Sequence, residues 1–407
     1  MNKLLNYSEE EKIIVQMSEK YLLSTYNKNL VIDYGEDVYL FDKKGIKYLD
    51  LISGIATCSV GHSNKKVVKA IQIQLKKVIN PSNLYYSEVQ AILAEKLNKI
   101  TKLERMFFSN SGTEAIEGAI KIFRAYQKKN KTNKYKILCF ENSFHGRTYG
   151  SLSATYEKIY KDKFKPLLPG FIHVKYNSVE EIEKALKSDK KIGAIMLEPI
   201  QGEAGIIIPS DDYLKSVSEI CTNNDLILII DEIQTGNGRT GKFFCYQHYN
   251  VMPDILVTAK GLANGIPIGV TICSEELNLN KRDHGSTFGG NSIACIAAIA
   301  TIEEILRLMP DVKEKGNYFV KKLKEKMEIE NNYVYEVRGK GLMIGATLSK
   351  KYQKNVDELY NNCLINKVLV NFCHGKHLRL LPPLSIQLNH IDEGLQKLIK
   401  SFSLVKT

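Results

Sequence analysis

No run in this 407-residue chain approaches the ~20 consecutive apolar residues that a bilayer-spanning helix needs. Membrane insertion is therefore not expected. The opening MNKLLNYSEEEK turns acidic before an apolar segment develops, so it lacks the build of a secretory signal, and a cytoplasmic protein is expected. The eight cysteines (Cys58, Cys139, Cys221, Cys245, Cys273, Cys295, Cys363, Cys373) show no C-x-x-C spacing and mostly sit in apolar stretches. Buried free thiols in a reducing compartment fit this pattern better than a metal centre. Arginine is scarce: only eight of the 57 basic residues, at 105, 124, 147, 239, 282, 307, 338 and 379. A net charge of +12 invites a nucleic-acid reading. Against it, the excess is scattered lysine, whereas phosphate and base readout lean on arginine. The one dense cluster, KKNKTNKYK at 128–136, reads as a solvated loop. Long linkers, low-complexity segments and internal repeats are absent as well.

What is present is ordinary for a globular protein, with 44% hydrophobic and 25% charged residues and enough length for two domains. Ser8 and Glu11 form a possible capping box ahead of a helix with Ile13, Ile14, Met17 and Tyr21 on one face. Residues 37–51 read as a hairpin turning at Lys43-Lys44-Gly45, and a helix follows near 65–78. From Arg105 strands and helices alternate, with strands at 106–108, 136–140, 195–197, 226–230, 255–259 and 268–273. Such βα repetition predicts an α/β fold with a mostly parallel sheet flanked by helices. After Pro310 shorter strands (334–337, 343–348, 378–381) and amphipathic helices, the last over 390–403, suggest a smaller α+β unit, with which the amino-terminal hairpin packs.

Three segments carry chemistry. Ser111-Gly112-Thr113 lies between a strand and a helix, where free backbone N–H groups suit a phosphate. On its own the segment reads equally well as a plain helix cap. Gly236-x-Gly238-x-x-Gly241 matches a dinucleotide fingerprint in letters, but GKFFCYQHYN follows instead of an amphipathic helix, so that reading is set aside. The apolar runs 226–230 and 255–259 deliver Asp231 and Lys260 at their ends. Unbroken apolar runs suit buried parallel strands, whose carboxyl ends are where ligands bind. A structural salt bridge is the alternative use of such a pair. A phosphate cup, a strand-end acid and a strand-end lysine together are what pyridoxal 5′-phosphate requires: a Schiff-base amine and an acid for its ring nitrogen.

In these segments the chain resembles the class III (fold type I) pyridoxal-phosphate aminotransferases, the acetylornithine branch in particular. The matching stretches are NPSNLYYSE (80–88), FFSNSGTEAIEGAIK (107–121), ENSFHGRTYGSLSAT (141–155), LEPIQGEAGI (197–206), LIIDEIQTGNGRTGKFF (228–244), PDILVTAKGLANGIPIG (253–269), HGSTFGGN (284–291) and LRLLPPL (378–384), in family order. The resemblance implies a seven-stranded, mostly parallel sheet in a large cofactor-binding domain over 56–305, a small domain over 306–407, and an amino-terminal segment 1–55 packing with the latter. It implies that Lys260 bonds to the cofactor aldehyde and moves the proton, and that Asp231 pairs with the ring nitrogen. Ser111, Gly112 and Thr113 would hold the phosphate, with Thr287 arriving from a second subunit, so a homodimer is implied. Phe144 would stack on one ring face and Ile233 press on the other, Ile233 sharing a side with Asp231 if strand alternation continues. His145 and Gln234 complete the expected cofactor site.

Arg147 with Ser286 would bind the acylated substrate, and Arg379 the α-carboxylate of glutamate or 2-oxoglutarate. Glu203 resembles the acid that covers Arg379 when a substrate with a distal amine enters, and Glu198 a supporting acid. Ile55 stands where ornithine δ-aminotransferases typically carry tyrosine, which favours an acylated substrate. GHSNKKV at 61–67 departs from the common GHCHPKV without an evident consequence. The expected reaction moves the δ-amino group of N2-acetyl-L-ornithine to 2-oxoglutarate, giving N-acetyl-L-glutamate 5-semialdehyde and L-glutamate, a step of arginine biosynthesis. Ornithine, succinylornithine, succinyl-diaminopimelate and 4-aminobutyrate are the alternative amino donors. The partners expected are thus amino acids, 2-oxo acids and a second copy of the chain.

Overall fold

The computed structural model describes residues 7–406. Met1 to Asn6, on which the reading against a secretory signal partly rests, and Thr407 lie outside the described residues. The Ser8–Glu11 capping box forms at the start of helix Glu9–Tyr21: each residue's side chain accepts from the other's N–H, at 3.2 and 2.7 Å. Its apolar stripe is not buried as the spacing suggested. Ile13, Met17 and Tyr21 are each more than half exposed, and Glu11 is the helix's buried residue.

Seven strands make the central sheet, in the spatial order Arg105–Ser109, Gly269–Cys273, Ile255–Thr258, Ile227–Asp231, Ile192–Leu197, Lys136–Phe140, Phe171–Val174. The last five run parallel, while Gly269–Cys273 lies antiparallel to both its neighbours. Ile227–Asp231 and Ile192–Leu197 are buried along their whole length, which is why their sequences show no polar alternation. Strand Phe171–Val174 escapes the sequence reading because it sits at the sheet edge, half-buried, with a mixed FIHV sequence.

Helix Ser292–Leu323 runs through Pro310 without interruption. The change of character drawn at Pro310, and the passage between units at 305/306, therefore fall inside one helix. Pro310 and Leu306, whose carbonyl loses its donor, both lie on the exposed face, where water can satisfy the free group. Beyond it, Val334–Lys340, Met343–Leu348, His377–Leu380 and Asn371–Cys373 form a four-stranded antiparallel sheet. The amino-terminal strands Ile32–Glu36, Tyr39–Asp42 and Lys47–Asp50 make a second small sheet that is completed by Val368–Leu369. The Leu381 N–H donates to the Leu51 carbonyl at 2.7 Å, a second link between this amino-terminal sheet and the carboxy-terminal quarter. The closing helix spans Leu388–Ser403.

Candidate active site

The strand ending in Asp231 lies beside the strand that leads to Lys260, with Asp231 paired to Val257. Asp231 is buried, and its two oxygens are fixed by different groups. Oδ2 is 2.8 Å from Nδ1 of the buried His145, and Oδ1 accepts the Ile233 N–H at 3.0 Å. The second hydrogen bond closes an Asx turn, so the strand stops at Asp231. Strand alternation therefore does not reach Ile233, contrary to the sequence argument; the turn positions it instead. His145 Nε2 is buried with no partner among the described residues.

Lys260 adopts a left-handed backbone (φ 45°), a conformation that non-glycine residues rarely hold and that concentrates at functional sites. Its ammonium makes no hydrogen bond or ion pair among the described residues. Burial lowers its pKa, reinforced by the Arg379 charge and opposed by Glu203, Asp231 and Glu198. A dehydrated, unengaged amine is what a carbonyl-directed nucleophile or base requires.

At the start of the 18-residue helix Gly112–Lys129, Ser111 Oγ caps the Glu114 N–H at 3.3 Å. The N–H groups of Gly112 and Thr113 keep no acceptor among the described residues, leaving two aligned donors at a helix amino terminus. A Cβ on Gly112 would lie 2.8 Å from Ile233 Cδ1, so this close approach admits only glycine without a shift. The Thr113 hydroxyl is turned toward residues 147–151, the start of helix Tyr149–Ala154 and the turn before it. It accepts the N–H of Arg147 (3.0 Å) and Thr148 (3.1 Å) and meets Ser151 Oγ at 2.6 Å. What Thr113 offers a ligand is accordingly its backbone.

Arg379 is buried and makes four side-chain hydrogen bonds. Nη1 donates to Glu203 Oε1 (2.6 Å) and Gln234 Oε1 (3.2 Å), while Nε and Nη2 both donate to Asn371 Oδ1 (3.2 and 2.8 Å). Burial alone would raise the Glu203 pKa, but Arg379 and Lys260 hold it below its ordinary value. Arg147 is different. Its guanidinium has no ion pair among the described residues and lies 3.9 Å from the centroid of the Tyr160 ring and 5.5 Å from that of Phe144. Phe144 and Tyr160 meet edge to face at 5.9 Å. Sequence reasoning missed Asn371 and Tyr160. Only strand register, which sets Asn371 opposite Arg379, and the placement of the short helix Lys158–Lys161 bring them in.

Ser286 Oγ accepts from Asn110 Nδ2 (3.4 Å) and the Gly289 N–H (3.0 Å), which sets it at the strand end before Ser111. Thr287 is exposed; its carbonyl accepts from Asn80 Nδ2 at 3.3 Å, and its hydroxyl has no hydrogen-bond partner among the described residues.

Two buried acids brace the site. Burial lifts Glu198 to about 7, against the lowering by His145, and its oxygens accept the N–H groups of Phe144 and Gly202, both at 3.0 Å. Burial likewise lifts Glu232 to about 7, although Thr235 Oγ1 (2.6 Å) and the Tyr246 N–H (2.7 Å) donate to it. The folded chain thus keeps protons that an unfolded one releases near pH ~4.3, so this part of its stability is complete below that pH and is lost as pH rises through about 7. Glu232→Gln is expected to flatten the decline in unfolding free energy between pH ~4.5 and ~7, measured by urea titration at several pH values. An unchanged slope would contradict the assignment.

An unengaged amine, an acid braced by imidazole, and two open helix-terminal N–H groups fit pyridoxal 5′-phosphate in its aldehyde, ring nitrogen and phosphate. Comparison with known proteins agrees. The family described as Aminotransferase class-III matches residues 23–402. Acetylornithine aminotransferase of Aquifex aeolicus is 44% identical over 93% of this chain and 98% of its own, and that of Methanocaldococcus jannaschii 43% over 96% and 98%. Among solved structures, an ornithine aminotransferase of Toxoplasma gondii ME49 superposes with a TM-score of 0.92 at 29% identity, covering 98% of this chain and 95% of that one. An acetylornithine aminotransferase from Elizabethkingia anophelis gives 0.86 at 29%, covering 96% and 98%. Matched along nearly its whole length in sequence and fold, the chain belongs to the class III aminotransferases.

Proposed function

We propose that the chain transfers the δ-amino group of N2-acetyl-L-ornithine to 2-oxoglutarate, forming N-acetyl-L-glutamate 5-semialdehyde and L-glutamate. The curated relatives named acetylornithine aminotransferase, at 40–44% identity, support this. Pyridoxal 5′-phosphate supplies an aldehyde that takes up the donor nitrogen and a ring that accepts the electron pair of the broken C–H bond. Lys260 Nζ is the base that moves the proton from the carbon bearing that nitrogen. Asp231, its carboxylate braced by His145, favours a protonated ring nitrogen. The N–H groups of Gly112 and Thr113 bind the phosphate, Ser111 holds that helix start in place, and Phe144, Ile233 and Gln234 fix the ring.

One observation carries the substrate reading: of two arginines, Arg379 is closed by Glu203 at 2.6 Å while Arg147 is open on an aromatic face. In the closed state Arg147, which has no ion pair among the described residues, binds the lone α-carboxylate of an acylated diamine, with Ser286 beside it. When Glu203 withdraws, Arg379 becomes free for the second carboxylate of a 2-oxo dicarboxylic acid. Ile55, 40% exposed and lining a cleft of about 1110 Å³, leaves room where a tyrosine hydroxyl would instead engage a free amino acid.

The reading includes a homodimer in a cytoplasmic setting. The exposed apolar residues Leu84, Tyr85, Tyr86 and Phe288 surround the Thr287 loop and support a subunit interface there, across which Thr287 reaches the partner's phosphate cup. It also includes a division into a large unit (56–305), a small unit (306–407) and an amino-terminal segment (1–55) joined to the small unit, supported by the Leu49–Val368 pairing. Steady-state turnover with acetylornithine, succinylornithine, ornithine and 4-aminobutyrate tests the substrate. Acetylornithine is expected to give a kcat/KM at least ~10²-fold above free ornithine. A preference for ornithine or 4-aminobutyrate would overturn it.

A further inference from the structure

Asn371 and Arg379 face each other across two antiparallel strands, and the contact between them is unusually complete. One amide oxygen, Asn371 Oδ1, accepts from both Nε (3.2 Å) and Nη2 (2.8 Å) of the guanidinium. That is one of the two edges by which a guanidinium grips a carboxylate in a fork. The other usable edge is Nη1 with Nη2, and there Nη1 is held by Glu203 at 2.6 Å and by Gln234 at 3.2 Å. Asn371 also lines the 1110 Å³ cleft together with Ile55.

We infer that Asn371 is the positioning residue that makes Arg379 selective for the 2-oxo acid: it fills one edge of the guanidinium with an uncharged acceptor, so that a carboxylate can enter only at the edge Glu203 vacates. This rests on the reading of Arg379 as the fork for the 2-oxo acid. The absence of charge at 371 matters as much as the shape. An arginine already saturated by a fixed carboxylate would gain little from a second one, whereas a neutral amide satisfies the donors and leaves the positive charge for the substrate. Because the amide stays in place whether Glu203 is bound or withdrawn, the guanidinium keeps its plane in both states, and the exchange of Glu203 for substrate becomes a swap at one edge.

Asp is isosteric with Asn and keeps both hydrogen bonds, which makes the test sharp. In the holoenzyme, Asn371→Asp is expected to raise the KM for 2-oxoglutarate by at least tenfold more than the KM for the amino donor, and to weaken binding of glutarate, measured by calorimetry, to a similar degree. Asn371→Ala, which frees the edge but leaves the charge, is expected to raise the 2-oxoglutarate KM less than Asp does. A merely structural role gives the opposite order, Ala worse than Asp, with no split between the two substrates, and that order would overturn the inference. Arg379→Lys serves as the control. If it raises the 2-oxoglutarate KM while Asn371→Asp behaves as wild type, the inference alone fails. If Arg379→Lys leaves that KM unchanged, the carboxylate reading fails and takes the inference with it. Unfolding midpoints of all three variants, compared with wild type, establish that folded enzyme is being measured.

Discussion

Lys260→Arg is expected to abolish turnover, lowering kcat by about 10⁴-fold or more while leaving the fold intact. The reason lies in the difference between two cations. At position 260 burial lowers the lysine pKa, and its nitrogen has no hydrogen-bond or ion-pair partner among the described residues, so loss of the proton is eased. An arginine keeps its proton at every working pH and can neither attack a carbonyl nor serve as a base. Packing should tolerate the change, because Lys260 is half-buried just past a strand end rather than within the apolar core. Turnover within tenfold of wild type would place the reacting amine elsewhere.

Asp231→Asn should have the next largest effect, a loss in kcat of about 10²–10⁴-fold with a much smaller change in stability. Asparagine can still accept the Ile233 N–H now bound at 3.0 Å, and its amide can meet His145 in the opposite tautomer at a comparable 2.8 Å. What disappears is the negative charge that favours a protonated ring nitrogen. Parallel kcat and thermal unfolding measurements separate the two terms. A variant that unfolds readily but keeps its kcat would make Asp231 a structural acid and remove it from the chemistry.

The positions of Asp231 and Lys260 were legible because chemistry and burial coincide there. Five or so apolar residues in a row, ending on a charge, have few places to go but a covered strand with its tip at the ligand edge. The Ser8–Glu11 box and the helix opening at Gly112 were legible for a similar reason, since caps are local. What the sequence hid depends on distant partners. Asn371 acquires its place from the register that sets it opposite Arg379, and Tyr160 from the short helix Lys158–Lys161, which sets its ring against the Arg147 guanidinium. The antiparallel course of Gly269–Cys273 leaves no trace in an apolar run that is buried either way. Pro310 misled because a proline on a solvated helix face is tolerated, and strand alternation misplaced the reason for Ile233 because Asp231 ends the strand with its own side chain.

The identity of the amine that carries the cofactor is tested most directly by treating the holoenzyme with borohydride, digesting it and locating the pyridoxyl mass by peptide mass spectrometry. The expected result is a single modified peptide with the added mass on Lys260, lost when the enzyme is pre-treated with excess amino donor. A pyridoxyl group found on another lysine, or on none, would contradict the assignment of Lys260 and with it the roles given to Asp231 and the Gly112–Thr113 cup.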